Sequence, residues 1–336
     1  VDAGVSYTNI SNGMKGLNPF PGPKLMITSG GRIFYSIGAL GYQLSIDNGS
    51  TWNLITSGTA NRNIGGFLRL SDASILAFGF GGIIRTTDQG NNWTVQSSTS
   101  TTNLFTGNGN NIYYYSAGGT TINKSVDKGI TFTPLTLTGL PALYTISKII
   151  ADTSDNLYIY LNNNSNSTVE LWKVASPGTS AVKLTSYPGA GINDLTTVGT
   201  NLYVIYTTNF YKSTDGGIYW EKFALPSGAT PVFTNVNFRD ANTGYAVGNS
   251  GYCIKTSNGG GSTFPISAFT SPSGPYCEGN TYTFTNTTNP SYSFQWLLNN
   301  NVIGTSYNLN YTFNVPGNNT LALVSYNGVN YDTVSQ

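Results

Sequence analysis

Short runs of β-branched, aromatic and aliphatic residues recur along the chain, alternating with polar positions and cut by Gly, Asn, Asp and Pro. An apolar period of two is that of a half-buried strand, and the interrupting residues are those that make turns. On this pattern Arg32 to Ile37, Ser74 to Phe78, Asn111 to Ser116, Asn156 to Leu161 and Asn201 to Tyr206 are predicted strands. Phe233 to Phe238, Gly244 to Gly248 and Gly251 to Lys255 follow as three more. No segment shows the 3.6-residue period of a helix, so the chain reads as all-β.

An octapeptide recurs among these strands. Ser45-Ile46-Asp47-Asn48-Gly49-Ser50-Thr51-Trp52 is matched by Thr86-Thr87-Asp88-Gln89-Gly90-Asn91-Asn92-Trp93, by Ser125-Val126-Asp127-Lys128-Gly129-Ile130-Thr131-Phe132 and by Ser213-Thr214-Asp215-Gly216-Gly217-Ile218-Tyr219-Trp220. The frame is Ser/Thr-x-Asp-x-Gly-x-x-aromatic. Successive starts lie 41, 39 and 88 residues apart, and the last interval is twice 44. Val169 to Gly178 takes the place of the missing copy without its Asp, and Thr256-Ser257-Asn258-Gly259-Gly260, with Phe264 one place late, is a weakened sixth. The residue types describe a turn. A short Asp carboxylate accepts backbone N–H groups, Gly supplies positive φ, and the Ser/Thr hydroxyl adds a local bond.

Units of about 40 residues holding four short strands are the size of propeller blades. Six such units predict a six-bladed β-propeller over residues 1–268, with Val5-Ser6-Tyr7-Thr8-Asn9-Ile10 as the outer strand that closes the ring by joining the last blade. The frame resembles the Asp-box, or bacterial neuraminidase repeat, of sialidase-like propellers. The resemblance implies that each box is the turn between the third and fourth strands of its blade. It gives Asp47, Gly49, Trp52, Asp88, Gly90, Trp93, Asp127, Gly129, Phe132, Asp215, Gly217 and Trp220 structural roles, the aromatics facing the core.

The pattern changes after Ser267, and Ser271-Pro272-Ser273-Gly274-Pro275 reads as a linker. Thr281 to Asn286, Ser293 to Leu298, Ser306 to Phe313 and Thr320 to Tyr326 are strands of a small immunoglobulin-like β-sandwich over residues 269–336. Tyr276-Cys277-Glu278-Gly279-Asn280, Phe294-Gln295-Trp296 and Val315-Pro316-Gly317-Asn318-Asn319-Thr320-Leu321 resemble PKD or Ig-like repeats of Bacteroidota surface proteins, including those exported by the type IX system. Such modules are stalks and spacers. Where they often carry a second cysteine, this chain has Val329-Asn330-Tyr331. Asp332-Thr333-Val334 resembles the O-glycosylation site of that phylum, which makes Thr333 the acceptor.

Composition narrows the chemistry. Charged residues make up 9% of the chain and the net charge is +1, with no basic run to follow a phosphate backbone, so nucleic acid is not an expected partner. No stretch of about 18 apolar residues suggests membrane insertion, and the opening Val1 reads as the start of a processed or excerpted segment. There is no His, and Cys253 and Cys277 lack metal-ligand spacing. They either pair across the domain junction or stand as separate buried thiols. No cofactor and no metal are expected, although Asp152, Asp155 and Asn156 offer calcium-type oxygens in what otherwise reads as a turn.

The sialidase resemblance implies three arginines on a substrate carboxylate, a Tyr/Glu nucleophile pair and an Asp acid/base. The five arginines are Arg32, Arg62, Arg69, Arg85 and Arg239; the three glutamates are Glu170, Glu221 and Glu278. Neither set forms a recognisable constellation, and Asp72, Asp152, Asp155, Asp194 and Asp240 fall in inter-strand turns. No catalytic residue is assigned. Tyr113-Tyr114-Tyr115 alternates across a strand, so at least one ring is expected to be exposed as a contact surface. The expectation is a secreted or cell-surface, outer-membrane-associated module that binds glycan or protein within a larger chain or complex. The alternatives are a divergent sialidase-like glycoside hydrolase and an architectural part of a secretion or gliding-motility complex.

Overall fold

The computed structural model describes residues 25–28, 31–37, 41–56, 63–98, 100–101, 104–106, 111–115, 118–184, 192–206, 209–223, 232–238, 240–249 and 253–336. Among them there is no α-helix, and almost all regular structure is antiparallel strand. The chain divides into two compact units, Val1–Lys183 and Leu184–Gln336.

The first unit holds four sheets, each a meander of four strands in which each strand pairs with its neighbour in sequence. They are β1 to β4 (Leu25–Ile27, Ile33–Ser36, Tyr42–Ser45, Asn53–Ile55), β5 to β8 (Ile64–Arg69, Ile75–Gly79, Gly82–Thr86, Thr94–Ser97), β9 to β12 (Leu104–Thr106, Ile112–Tyr115, Ile122–Ser125, Thr133–Pro134) and β13 to β16 (Tyr144–Ala151, Leu157–Asn163, Thr168–Val174, Ala181–Lys183). The second strand of each meander is buried over most of its length, and both faces of β6 are covered, since Ile75 to Gly79 are all buried. A strand buried on two faces loses the alternation of a half-buried one. That is why none of Tyr113, Tyr114 and Tyr115 is exposed, against the expectation from the pattern: Tyr113 and Tyr115 are buried, and Phe132 covers Tyr114 with its ring centroid 5.0 Å away.

In the second unit, β17 to β20 (Asp194–Val198, Asn201–Ile205, Phe210–Ser213, Glu221–Phe223) form a fifth meander, and β21 to β23 (Phe233–Phe238, Gly244–Gly248, Cys253–Thr256) form a three-stranded sixth. The aromatic of the weakened sixth octapeptide does not return along β23. Thr263–Phe264 (β24) pairs with β20 instead and becomes a fifth strand of the preceding sheet. Val5 to Ile10, the expected closing strand, lies outside the described residues.

The last two sheets enclose a common core. Phe269–Thr270 (β25) and Thr281–Asn286 (β26) pair with Leu309–Thr312 (β29) in the order β25-β26-β29, while Ser293–Leu298 (β27), Asn301–Gly304 (β28), Leu321–Tyr326 (β30) and Tyr331–Ser335 (β31) run in the order β28-β27-β30-β31. Trp296 is wholly buried at the centre, its indole N–H donating to the Ser306 carbonyl at 3.0 Å and its ring edge-on to Phe269. Ser271 to Pro275 lies between β25 and β26 of one sheet, so it is a loop within the sandwich and not the linker leading to it. β28 is not among the strands predicted from the pattern; Asn299 and Asn300, at φ 50° and 68°, make the tight turn before it.

The sandwich sits on the fifth meander. Tyr292 donates its hydroxyl to Glu221 of β20 at 2.5 Å, and Thr263 of β24 donates to the same carboxylate at 2.8 Å. The Asn327 and Asn330 side-chain amides both donate to the Thr263 carbonyl at 2.9 Å. Cys253 and Cys277 are both exposed and are not joined in a disulfide. Separate thiols are therefore observed, but not buried ones, because β23 is accessible along its length and Cys277 precedes β26 in an open loop.

Candidate functional site

Each octapeptide lies between the third and fourth strands of its sheet and closes in one way. The Ser45 hydroxyl donates to Asp47 Oδ1 at 2.8 Å while its oxygen accepts the Gly49 N–H at 2.7 Å. Asp47 Oδ1 then accepts the Thr51 N–H at 2.9 Å, and Oδ2 the Thr51 hydroxyl at 2.6 Å. Asp88 and Asp127 repeat this with Asn92 and Thr131. In the fourth complete copy the Tyr219 N–H reaches both oxygens of Asp215. These bonds go to the charged carboxylate. The Thr51 hydroxyl and N–H hold Asp47 down at about 2, and the Asn92 N–H with the Thr86 hydroxyl does the same for Asp88. At Asp127 burial opposes ionisation, yet Thr131 and Ser125 still bring it to about 2.

The weakened copies keep part of this network or replace it. Asn258 Oδ1 still accepts the Thr256 hydroxyl at 2.9 Å, and Thr256 Oγ1 still takes the Gly260 N–H at 2.6 Å. Where the Asp is missing altogether, the Asn156 side-chain carbonyl, arriving from the opposite turn, accepts the Ser176 N–H at 3.0 Å.

Sequence alone does not reveal that these turns also join one sheet to the next. Gly90 lies beneath Phe34 and Tyr42 of the preceding meander; its carbonyl accepts the Tyr42 hydroxyl at 3.0 Å, and Trp93 donates to the same hydroxyl at 2.8 Å. Burial is the main force raising that phenol to about 12. Gly129 packs likewise on Leu76, and Gly217 on Leu184. Arg32, one of the five arginines, donates to the Gln89 carbonyl and to Asn91 of the next octapeptide. Asp72 receives both Arg85 at 2.7 Å and Lys128 of the next octapeptide at 2.6 Å, and Lys128 foremost holds its carboxyl well below the usual range.

Most of the remaining described acids of the propeller-type sheets are similarly engaged. Asp152 accepts the N–H groups of Ser154 and Asn156, the Asn156 amide and the Tyr158 hydroxyl. Its oxygens are thereby committed to the turn and not arranged around a calcium ion. Asp155 Oδ2 takes Tyr113 at 2.7 Å and Asn111 from the neighbouring meander, with Lys124 at 3.9 Å. Burial together with the Asp155 carboxylate pushes the Tyr113 phenol strongly up. Glu170 is buried; burial alone would raise it, but Lys183 at 2.6 Å, Trp172, Asn163 and Thr168 together lower it to about 2. Asp194 accepts the Val236 N–H at 2.9 Å. Asp240 accepts the N–H groups of Asn242 and Thr243. Arg62 and Arg239 lie outside the described residues. Among the described residues no group of three His, Cys, Asp or Glu side chains is placed to hold a metal ion.

A second repeat escaped the sequence reading. Tyr113 faces Lys124 across two strands, Tyr158 faces Lys173, Tyr203 faces Lys212 and Tyr245 faces Lys255. In the first three pairs the ammonium stands 5.5 to 5.8 Å from the ring centroid, within cation–π range. The signal was present as a cation one residue before each turn, masked by the attention the turn itself draws. Next to the last pair, a cleft of about 240 Å³ opens between the fifth and sixth meanders, with Phe210, Phe238, Tyr245, Ile254, Lys255 and Asn258 on its walls. Phe238 stacks on Tyr203 at 3.9 Å between centroids.

No protein-family profile and no curated protein matches the sequence. Solved structures do share the fold. YCF48 from Cyanidioschyzon merolae is 10% identical over 79% of this chain and 92% of its own, with a TM-score of 0.54. YCF48 bound to D1 peptide is 14% identical over 71% and 79%, at 0.53. The GH74 xyloglucanase from Xanthomonas campestris is 14% identical over 68% of this chain and 43% of its own, with a TM-score of 0.50. These are β-propeller proteins. The chain has an all-β, propeller-type fold.

Proposed function

We propose that the chain is a non-catalytic recognition module: a six-bladed propeller of Asp-box type, followed by an immunoglobulin-like sandwich, displayed outside the cell as part of a larger protein and engaging glycan or protein. The observation that carries this reading is the cleft between the fifth and sixth meanders. It offers aromatic and aliphatic walls, the Lys255 ammonium and the Asn258 amide in one concavity, the mixture that gives a site apolar area with a few orienting polar groups. The described acids support recognition over hydrolysis. Glycoside hydrolysis calls for two carboxylates about 5 to 10 Å apart, one of them free to give a proton. Here Glu170 and Asp72 are held as anions by cations, while Asp152, Asp194 and one oxygen of Asp155 are taken up by hydrogen-bond donors.

An extracellular setting suits the sandwich, which is polar through Asn, Thr, Ser and Tyr and contains no Lys or Arg. Thr333 is exposed on β31, where a glycosyl group at that hydroxyl would meet solvent. The test is a glycan array and a panel of immobilised cell-surface proteins probed with the intact chain and with Tyr245→Ala. Saturable binding that the substitution weakens at least several-fold is expected. Binding to neither panel, or binding indifferent to Tyr245, overturns the assignment.

A further inference from the structure

The sandwich contains a cavity of its own, about 440 Å³, walled by Tyr276, Phe284, Leu298, Phe313 and Leu321 among others. Tyr276 is 39% exposed and stacks on Phe313, their centroids 5.6 Å apart and their planes within 6°, with Phe284 edge-on to both. Most polar side chains on the wall are occupied. The Tyr276 hydroxyl donates to the Pro272 carbonyl; Gln336 accepts from Ser271 and donates to the Phe269 carbonyl; Asn319 accepts from Asn299 and donates to the Gly317 carbonyl. Glu278 is different. It is an exposed residue of the cavity wall, and among the described residues it makes no hydrogen bond and no ion pair.

Nothing in the sandwich compensates that charge. Residues 269–336 contain no Lys or Arg, and the other acid, Asp332, already accepts the Ser267 N–H at 2.7 Å. One free carboxylate beside aromatic rings does not suit a neutral sugar, which needs several directional donors and acceptors, and it is too few oxygens for calcium. It suits an organic cation, whose methylene stem packs on the rings while its charge meets both the carboxylate and the ring faces.

We propose that this cavity binds an alkylammonium group, the side chain of a lysine presented by a partner protein. The space exceeds one side chain, so it takes the lysine with a short piece of flanking peptide. The site lies in the sandwich, and its failure leaves the reading of the propeller cleft untouched.

The experiment is saturation-transfer NMR on the intact chain with N-acetyl-lysine amide, its uncharged analogue N-acetyl-norleucine amide, which lacks only the ammonium, and methyl β-glucoside. The lysine probe binds saturably and the norleucine probe about five- to tenfold more weakly, the contribution expected of an exposed ion pair and a cation–π contact together. Glu278→Gln abolishes that preference, and Tyr276→Ala weakens both probes. Near-UV circular dichroism, to which the buried Trp296 contributes, confirms that each variant is folded. Absence of saturable lysine binding, equal binding of lysine and norleucine, a lysine preference that survives Glu278→Gln, or tighter binding of the glucoside each overturns the proposal.

Discussion

Replacing Gly90 by alanine separates the two tasks that the octapeptide performs. The residue stands at φ +92°, where an L side chain costs about 1–2 kcal/mol. A Cβ there would also lie 2.7 Å from Phe34 Cε1, inside any real contact distance, and Phe34 is itself wholly buried between Tyr42 and Phe67. Forcing that ring aside costs about 1–3 kcal/mol more, the range for overpacked cores. Gly199 provides the control, since it is at φ +60° in the turn between β17 and β18 with nothing within 4 Å of its Cβ direction. Gly199→Ala should therefore lose only the backbone share, about 1–2 kcal/mol. The assay is urea unfolding followed by tryptophan fluorescence, comparing midpoints at equal slope. Gly90→Ala is expected to be the more destabilised by about 1–3 kcal/mol. Equal losses in the two variants would refute the claim that the octapeptide glycine locks one sheet to the next.

Three further outcomes follow from the geometry. Asp47, Asp88 and Asp127 are depressed from 3.8 to about 2 in the fold, so their contribution is present above the unfolded value and is lost as pH falls from about 4 to about 2. Asp88→Asn should flatten the acid limb of a stability–pH curve, and an unchanged limb contradicts the hydrogen-bond account. Glu170→Ala removes the acceptor from Lys183, Trp172, Asn163 and Thr168, and should cost about 2–3 kcal/mol in thermal or urea unfolding, whereas a loss under about 0.5 kcal/mol would show those bonds to be replaceable by water. Tyr292→Phe deletes the sandwich's bond to Glu221, and hydrogen exchange at Thr263 and Phe264 should quicken about tenfold; an unaltered rate means that β24 is held by its backbone pairing alone.

Most strand positions were legible because the period of two and the turn residues agree. Phe233 to Phe238, Gly244 to Gly248, Thr281 to Asn286 and Ser293 to Leu298 form as read. The octapeptide was legible as a turn because every bond in it is local, from Ser45 to Thr51. What it touches was not legible, since Phe34 and Gly90 are far apart in sequence and no local pattern couples them. The partner of β24 was hidden for the same reason: Phe264 looks like the aromatic of a sixth repeat, and its choice of β20 over β23 is decided by tertiary pairing and by the bonds to Asn327 and Asn330. Nor could sequence distinguish the committed carboxylates from Glu278, because commitment rests on Lys183, Tyr113 or Val236 arriving from other strands.

Recognition without cleavage is the central claim, and it is tested most directly by passing a polysaccharide panel over the immobilised intact chain while following both retention and newly formed reducing ends. The account predicts retention that Tyr245→Ala and Lys255→Ala each weaken, with no rise in reducing ends. New reducing ends, or retention that neither substitution alters, would contradict it.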